Sequence, residues 1–153
     1  MKNIIKSINE GLANYYTAGE VKALIRIIAT ELLGIPEMSF FLKDEVTLTT
    51  EKTVLLDNAI ARLQKQEPIQ YILGYSDFCG LRFKVNTSTL IPRPETSELV
   101  EWIAGEATGK ERILDIGTGS GCIAISLAHR LPEASVEAWD ISSGALKTAE
   151  ENS

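Results

Sequence analysis

The sequence has few of the residues that stabilise disulfide-rich or metal-dependent folds. Its 153 residues include two cysteines, Cys79 and Cys122, and one histidine, His129. The cysteines form no C-x-x-C pair, so nothing in their spacing supports a disulfide scaffold or a zinc site. We interpret both cysteines as small buried apolar residues, and we expect no bound metal.

The sequence also lacks long apolar runs and an excess of positive charge. No stretch reaches the roughly 18 consecutive apolar residues of a membrane span, and the first residues contain no apolar segment typical of a secretion signal. The formal net charge of −6 excludes a basic field that would hold nucleic acid non-specifically. These absences predict a cytoplasmic protein that contacts no membrane or nucleic acid directly and binds proteins or small molecules.

Apolar residues with helical spacing fill the first half of the sequence. Over 19–34 they recur at steps of three and four, which predicts an amphipathic helix that Gly34 and Pro36 end. A second helix is predicted over 50–66, with its apolar positions at Val54, Leu55, Ala59 and Leu63. Shorter helices are predicted near 3–15 and 68–74. Residues 1–74 are therefore predicted to form a small helical domain.

From residue 75 the pattern becomes strand-like. Leu81, Phe83 and Val85 alternate with charged residues after Gly80, which predicts a β-hairpin within a linker over 75–91. A helix presenting Leu99, Val100 and Ile103 is expected to follow the two prolines of 92–94.

The rest of the chain predicts half of a doubly wound α/β domain. A strand at 112–116 leads through a glycine-rich turn into a helix at 120–130, and a second, parallel strand at 134–140 precedes a helix starting near Ser142. The alternating position of Trp139 in the second strand predicts that it belongs to the core.

The glycine-rich turn indicates a nucleotide site. Gly117 and Gly119 can adopt backbone conformations closed to other residues, and a ligand can lie against their main chain near a helix amino terminus. Asp140 comes about twenty residues after the turn, at the carboxyl end of the second strand, where a carboxylate can accept hydrogen bonds from ribose hydroxyls.

The identity of the nucleotide depends on two neighbouring positions. Cys122 occupies the place of the third glycine in the dinucleotide fingerprint. Asp115 could meet the amino group of an amino-acid-like ligand, whereas it would repel a pyrophosphate. These residues favour S-adenosylmethionine over NAD, and a turn that binds nothing is the remaining alternative.

Four blocks of sequence carry a family resemblance. They are "EPIQYILG" (67–74), "LIPRPET" (90–96), "LDIGTGSG" (114–121) and "WDIS" (139–142). In this order they resemble peptide chain release factor glutamine methyltransferases. The resemblance implies a helical amino-terminal substrate-recognition domain, a hairpin linker and, over 92–153, the first part of a Rossmann-like class I methyltransferase domain. It also implies methylation of the glutamine side-chain amide in the Gly-Gly-Gln motif of release factors.

The resemblance also implies roles for individual residues. Gly117, Thr118, Gly119, Ser120 and Gly121 would form the loop around the methionine end of the cofactor S-adenosylmethionine. Asp140 would hold the ribose, and Glu95 and Thr96 would help to orient polar groups of the cofactor. The alternative for residues 93–96 is a rigid linker in which Glu95 or Thr96 caps the following helix.

One motif of the family is absent from these 153 residues. The resemblance places an Asn-Pro-Pro-Tyr motif after the fourth strand, where it grips the substrate amide, and the sequence contains no such motif. We therefore expect the chain to be an amino-terminal part of the enzyme that is inactive alone. With only two strands in the second half, we also expect self-association or loose order there. A fragment that binds release factors without chemistry and a nicotinamide-dependent oxidoreductase remain as alternatives.

Overall fold

The computed structural model describes residues 1–42 and 46–153, which form two compact units, Met1–Leu73 and Gly74–Ser153. The first unit contains α1 (Lys2–Leu12), α2 (Ala18–Ile27), a π-helical turn (Ile28–Leu32), α3 (Met38–Leu42), α4 (Thr50–Leu63) and α5 (Ile69–Leu73). Within the described part of the chain, every helix is too short or too polar to span a bilayer.

Helix α2 begins at Ala18 because Thr17 and Glu20 form a capping box. The Thr17 hydroxyl accepts a hydrogen bond from the Glu20 amide, while the Glu20 carboxylate accepts one from the Thr17 amide at 2.8 Å, so two amides of the helix start are satisfied. The predicted apolar face of this helix is confirmed, since Val21, Leu24 and Ile25 are all buried.

Helix α4 begins at Thr50 as predicted but ends at Leu63, three residues earlier than expected, and its buried face also differs from the prediction. Leu56, Ala59 and Leu63 are buried, whereas Val54 and Leu55 are 63% and 47% exposed. The sequence between Val54 and Leu63 offers apolar residues on adjacent helical stripes. Packing against the rest of the first unit selects the stripe through Leu56.

The second unit is α/β, as predicted. It contains β1 (Tyr75–Phe78), β2 (Leu81–Lys84), α6 (Thr96–Glu106), β3 (Arg112–Ile116), α7 (Cys122–Arg130), β4 (Ser135–Trp139) and α8 (Ser143–Asn152). The elements follow the predicted order, and helix α7 begins two residues later than expected, because Ser120 and Gly121 belong to the turn.

The predicted hairpin is confirmed, with β1 and β2 pairing in antiparallel register from Tyr75–Lys84 to Phe78–Leu81. Cys79 and Gly80 form the two-residue turn, and both have positive φ angles, of 49° and 79°, as a hairpin turn of this length requires. Cys79 is only half-buried in this turn, so its prediction as a buried residue was wrong.

Strands β3 and β4 pair in parallel, with Ile116 opposite Trp139. Helix α7 covers one face of this pair, and Ile113 packs into the core there. The other face is open to solvent, with Leu114 44%, Ile116 76% and Trp139 58% exposed. The prediction that Trp139 lies in the core was therefore wrong, because its side chain points to the face opposite α7.

Candidate functional site

The glycine loop, residues 117–121, follows β3 and is fastened to the end of β4. The amides of Gly117 and Thr118 both donate to the carbonyl of Trp139, at 2.8 Å and 3.0 Å. Gly117, Gly119 and Gly121 have φ angles of 81°, 58° and 80°, in the left-handed region that favours glycine. The loop therefore has its tight course because every second residue is glycine.

Asp140 lies directly beside this loop. Its Oδ2 accepts a hydrogen bond from the Gly119 amide at 2.9 Å, and its Oδ1 accepts one from the Ser142 amide, also at 2.9 Å. The bond from Ser142, followed by that from Gly119, lowers the pKa of Asp140 below its ordinary value. Because a carboxylate has about four acceptor positions, an ionised Asp140 held in this way keeps acceptor capacity for ligand hydroxyls.

Asp115 is the second acid at the loop. The hydroxyl of the buried Thr118 donates to its Oδ2 at 2.7 Å, so the carboxylate is held with one oxygen bonded to the loop itself. The two acids that the sequence singled out, Asp115 and Asp140, are thus both tied to the same five-residue turn, one at Thr118 and one at Gly119.

The loop leaves space for a ligand at two of its three glycines. A Cβ atom added at Gly117 or Gly119 would meet no heavy atom within 4 Å, whereas one at Gly121 would lie 2.8 Å from Ile125 and 3.2 Å from the Ala149 Cβ. The open backbone at 117 and 119, next to two carboxylates, fits a ligand with a cationic group and a ribose, as S-adenosylmethionine has. Gly121 serves the packing of α7 against α8 instead.

Cys122 is the first residue of α7 and is buried. Burial raises the pKa of its thiol, which keeps the side chain neutral at neutral pH, as expected for a small apolar residue. No group of three or more His, Cys, Asp or Glu side chains that could hold a metal occurs in residues 1–42 and 46–153.

Glu95 and Thr96 lie at the start of α6. Neither side chain caps this helix, so the capping role considered for them was wrong. Instead, the carbonyl of Pro94 accepts hydrogen bonds from the amide and the hydroxyl of Ser97, at 3.0 Å and 2.5 Å. Among the described residues, no hydrogen bond joins Glu95 or Thr96 to the glycine loop.

Asn152 is a residue of this region that the sequence did not reveal. Its side-chain amide, in the last turn of α8, donates to the carbonyl of Ser120 at 2.9 Å. The two residues are 32 positions apart, so local sequence patterns contain no indication of the contact. His129, in contrast, lies exposed in the last turn of α7.

Comparison with known families adds to this geometry. Residues 7–74 match the family model of the PrmC N-terminal domain, and residues 95–153 match that of the methyltransferase small domain. The second match includes α6, the glycine loop, Asp140 and α8. The matches therefore assign a different family model to each half of the chain.

Individual relatives are similar over more of the sequence. The chain is 49% identical over 152 residues to a release factor glutamine methyltransferase from Bacteroides thetaiotaomicron, covering 99% of this chain and 55% of that protein. A protein of the same name from Flavobacterium psychrophilum is 43% identical with the same coverage. One from Lactococcus lactis is 51% identical over 106 residues, 69% of this chain and 39% of that protein. The chain thus spans about half the length of the curated relatives it matches.

Proposed function

We propose that the chain belongs to the release factor glutamine methyltransferase family and that it contributes the cofactor-binding part of such an enzyme. The proposed reaction is methyl transfer from S-adenosylmethionine to the side-chain amide nitrogen, N5, of the glutamine in the Gly-Gly-Gln motif of peptide chain release factors. The observation that carries the proposal is the placement of Asp140 on an open glycine loop, within a chain so similar to these methyltransferases. The proposal also implies a cytoplasmic location, where such a substrate acts.

Each residue of the loop has a proposed part in holding S-adenosylmethionine, whose sulfonium supplies an electrophilic methyl group when bound. Gly117 and Gly119 allow close approach to the backbone, since a Cβ atom added at either position would meet no heavy atom within 4 Å. Thr118 holds the Asp115 carboxylate in position to bind the amino group of the methionine moiety. Asp140 accepts hydrogen bonds from the ribose. Ser120 and Gly121 shape the turn into α7, and Glu95 and Thr96 orient polar groups at the cleft.

The two units have different proposed tasks. We assign substrate recognition to residues 1–74, a linking role to the hairpin region 75–91 and cofactor binding to 92–153. A groove of about 780 Å³ on the first unit supports a recognition role. Its lining includes the apolar Ile5 and Ala23 together with Lys22 and the ion pair of Arg26 and Glu37. A surface of this kind suits a protein segment.

The transfer itself requires more than cofactor binding. An amide nitrogen is a poor nucleophile because its lone pair is delocalised into the carbonyl, so an enzyme must hold the amide in line with the methyl group. The Asn-Pro-Pro-Tyr motif to which the resemblance assigns this grip is absent from the 153 residues. We therefore propose that this polypeptide binds cofactor but does not methylate a release factor by itself.

The experiment that tests the proposal is calorimetric titration of S-adenosylmethionine and S-adenosylhomocysteine into the chain. Asp140→Asn should weaken binding roughly 10- to 100-fold, because charge-assisted hydrogen bonds to the ribose are lost. The matched control is Asp57→Asn, the same change at an exposed position in α4, and it should bind like the parent chain. Equal affinity in the parent and Asp140→Asn chains would contradict the assignment of Asp140.

Two rival functions give different results in the same experiments. A release-factor-binding fragment without chemistry would capture a release factor but bind neither S-adenosylmethionine nor its product, and the groove on the first unit is the observation in its favour. A nicotinamide-dependent enzyme would bind NADH in preference to both, which the substitution of Cys122 for the third fingerprint glycine disfavours.

A further inference from the structure

The side-chain amide of Asn152 links the backbone of two residues, Lys84 and Ser120, that lie far apart in the sequence. Its Oδ1 accepts a hydrogen bond from the Lys84 amide at 2.7 Å. Its Nδ2 donates to the Lys84 carbonyl at 3.1 Å and to the Ser120 carbonyl at 2.9 Å. One side chain thus pairs with both backbone groups of a residue in β2 and, at the same time, with the glycine loop.

The chemistry of these partners requires asparagine. The Lys84 N–H can only donate, and the two carbonyls can only accept, so a single orientation of the amide satisfies all three. Aspartate would keep the acceptor but would lose both donors, and leucine, of similar size, would lose all three bonds. No other side chain of this length carries both an acceptor and a two-proton donor.

The bond to Ser120 holds the last peptide unit of the loop, which joins Ser120 to Gly121. The Ser120 carbonyl and the Gly121 amide belong to the same planar unit, and the Gly121 amide donates to the Thr118 carbonyl at 2.9 Å. This peptide is therefore fastened at both ends. Other anchors of the loop come from Trp139 and Asp140, at the end of β4, and from Asp115 in β3. Asn152 supplies the anchor from α8.

We propose that Asn152 is a positioning residue for the cofactor loop, which it holds in its binding conformation by tying the Ser120 carbonyl to β2. This inference rests on the proposed function in one respect, namely that the loop binds S-adenosylmethionine. The structural part of the inference does not depend on that ligand. Loss of the Asn152 amide donors releases the 120–121 peptide in the free chain as well.

The test compares two changes on the same helix. Asn152→Asp removes the bonds to both carbonyls while keeping the size of the side chain. The control, Thr148→Val, removes the hydroxyl that accepts a hydrogen bond from the Asn86 side chain at 2.9 Å. Thr148 also joins α8 to the segment after β2 and is buried, and its hydroxyl bonds to Asn86 and Gly144 rather than to the glycine loop. Both variants therefore weaken the docking of α8, and only one frees the loop.

Hydrogen exchange of the free chain is the first measurement, with the amides of residues 119–121 read relative to those inside α7. Asn152→Asp should accelerate exchange in the loop, relative to α7, about ten-fold, because one hydrogen bond to a buried carbonyl is lost. Thr148→Val should leave the ratio of loop exchange to α7 exchange unchanged. Equal acceleration in both variants, or none in Asn152→Asp, would overturn the positioning role. This comparison decides the matter even if the parent chain binds no cofactor.

Cofactor affinity is the second measurement, made with S-adenosylhomocysteine. We expect about ten-fold weaker binding for Asn152→Asp and parent-like binding for Thr148→Val. If the parent chain binds and Asn152→Asp binds equally well, the positioning role is wrong while the proposed function stands. If the parent chain does not bind, the proposed function fails for this chain and the exchange result still stands by itself.

Discussion

At the scale of single residues, the three glycines of the loop have different physical reasons to be glycine. A Cβ atom added at Gly117 or Gly119 would meet no heavy atom within 4 Å, so a side chain there would disturb the left-handed backbone conformation rather than the packing. Gly121 combines a φ of 80° with a crowded Cβ position against Ile125 and Ala149. Its substitution should therefore affect folding before it affects binding.

We expect Gly121→Ala to destabilise the chain by about 1–3 kcal/mol, because a left-handed backbone and a 2.8 Å contact with Ile125 both penalise the new methyl group. The matched control is Gly105→Ala in α6, where the added methyl group meets nothing within 4 Å. At that position the gain in helix propensity should stabilise the chain by about 0.5–1 kcal/mol. Urea denaturation of both variants checks the pair, and a Gly121→Ala chain as stable as the parent would refute the packing argument.

The same scale shows which site residues the sequence could reveal. The contact of Asp140 with the loop was predictable because their separation is set by one helix and a second strand, both of which local patterns indicate. Asn152 was not, because its partners Lys84 and Ser120 lie 68 and 32 positions away. The separate role of Gly121 was also hidden, since it depends on the packing of α8 against the start of α7.

At the scale of elements, the order of helices and strands was predictable, while the direction in which some of them face was not. Strand β2 and helix α2 each have a single apolar face in the sequence, and that face was assigned correctly. Helix α4 had two adjacent apolar stripes, and only packing selects between Leu55 and Leu56. The π-helical turn at Ile28–Leu32 and helix α3 were not predicted, because short irregular turns depend on their surroundings more than on propensity.

The connection between α6 and β3 contains a turn held by hydrogen bonds to a carboxylate, so its stability should depend on pH. The Glu111 carboxylate accepts hydrogen bonds from the amide and hydroxyl of Thr108, at 2.6 Å and 2.7 Å, and from the Gly109 amide at 2.9 Å. The Thr108 hydroxyl, followed by the Thr108 amide, lowers the pKa of Glu111 from 4.5 to about 2. The ionised carboxylate thus organises the turn that leads into β3.

A lowered folded-state pKa gives a contribution to stability that is complete above the unfolded value and disappears as the pH falls towards the folded value. Glu111 should therefore stabilise the chain fully above pH 4.5 and progressively less down to about pH 2. We expect Glu111→Gln to lower the urea midpoint at pH 7. Between pH 4.5 and about pH 2 the urea midpoint of this variant should fall less steeply than that of the parent chain. The exposed Glu133→Gln serves as the control, and a parent-like acid profile in Glu111→Gln would contradict the assignment.

At the scale of the whole molecule, the face of the β3–β4 pair opposite α7 is the feature with the largest physical consequence. Parallel strands are normally covered on both faces, yet Leu114, Ile116 and Trp139 are exposed here, and the fully exposed Ile141 lies two residues after the end of β4. Contiguous exposed apolar side chains of this size favour association. The expectation of self-association made from the sequence therefore has a specific surface on which it can be tested.

We predict that the chain self-associates through this face and that Ile116→Lys shifts it towards the 16.8 kDa monomer, because a charge at the centre of an apolar contact opposes burial. Leu90→Lys is the matched control, since Leu90 is also in the second unit and is 72% exposed, close to the 76% of Ile116. Sedimentation velocity over a range of concentrations measures the effect. A monomeric parent chain, or equal shifts in the two variants, would show that this face does not drive association. A selective shift would mean that the exposed side of the sheet governs the solution state of the chain, and the cofactor titrations should then use the Ile116→Lys background.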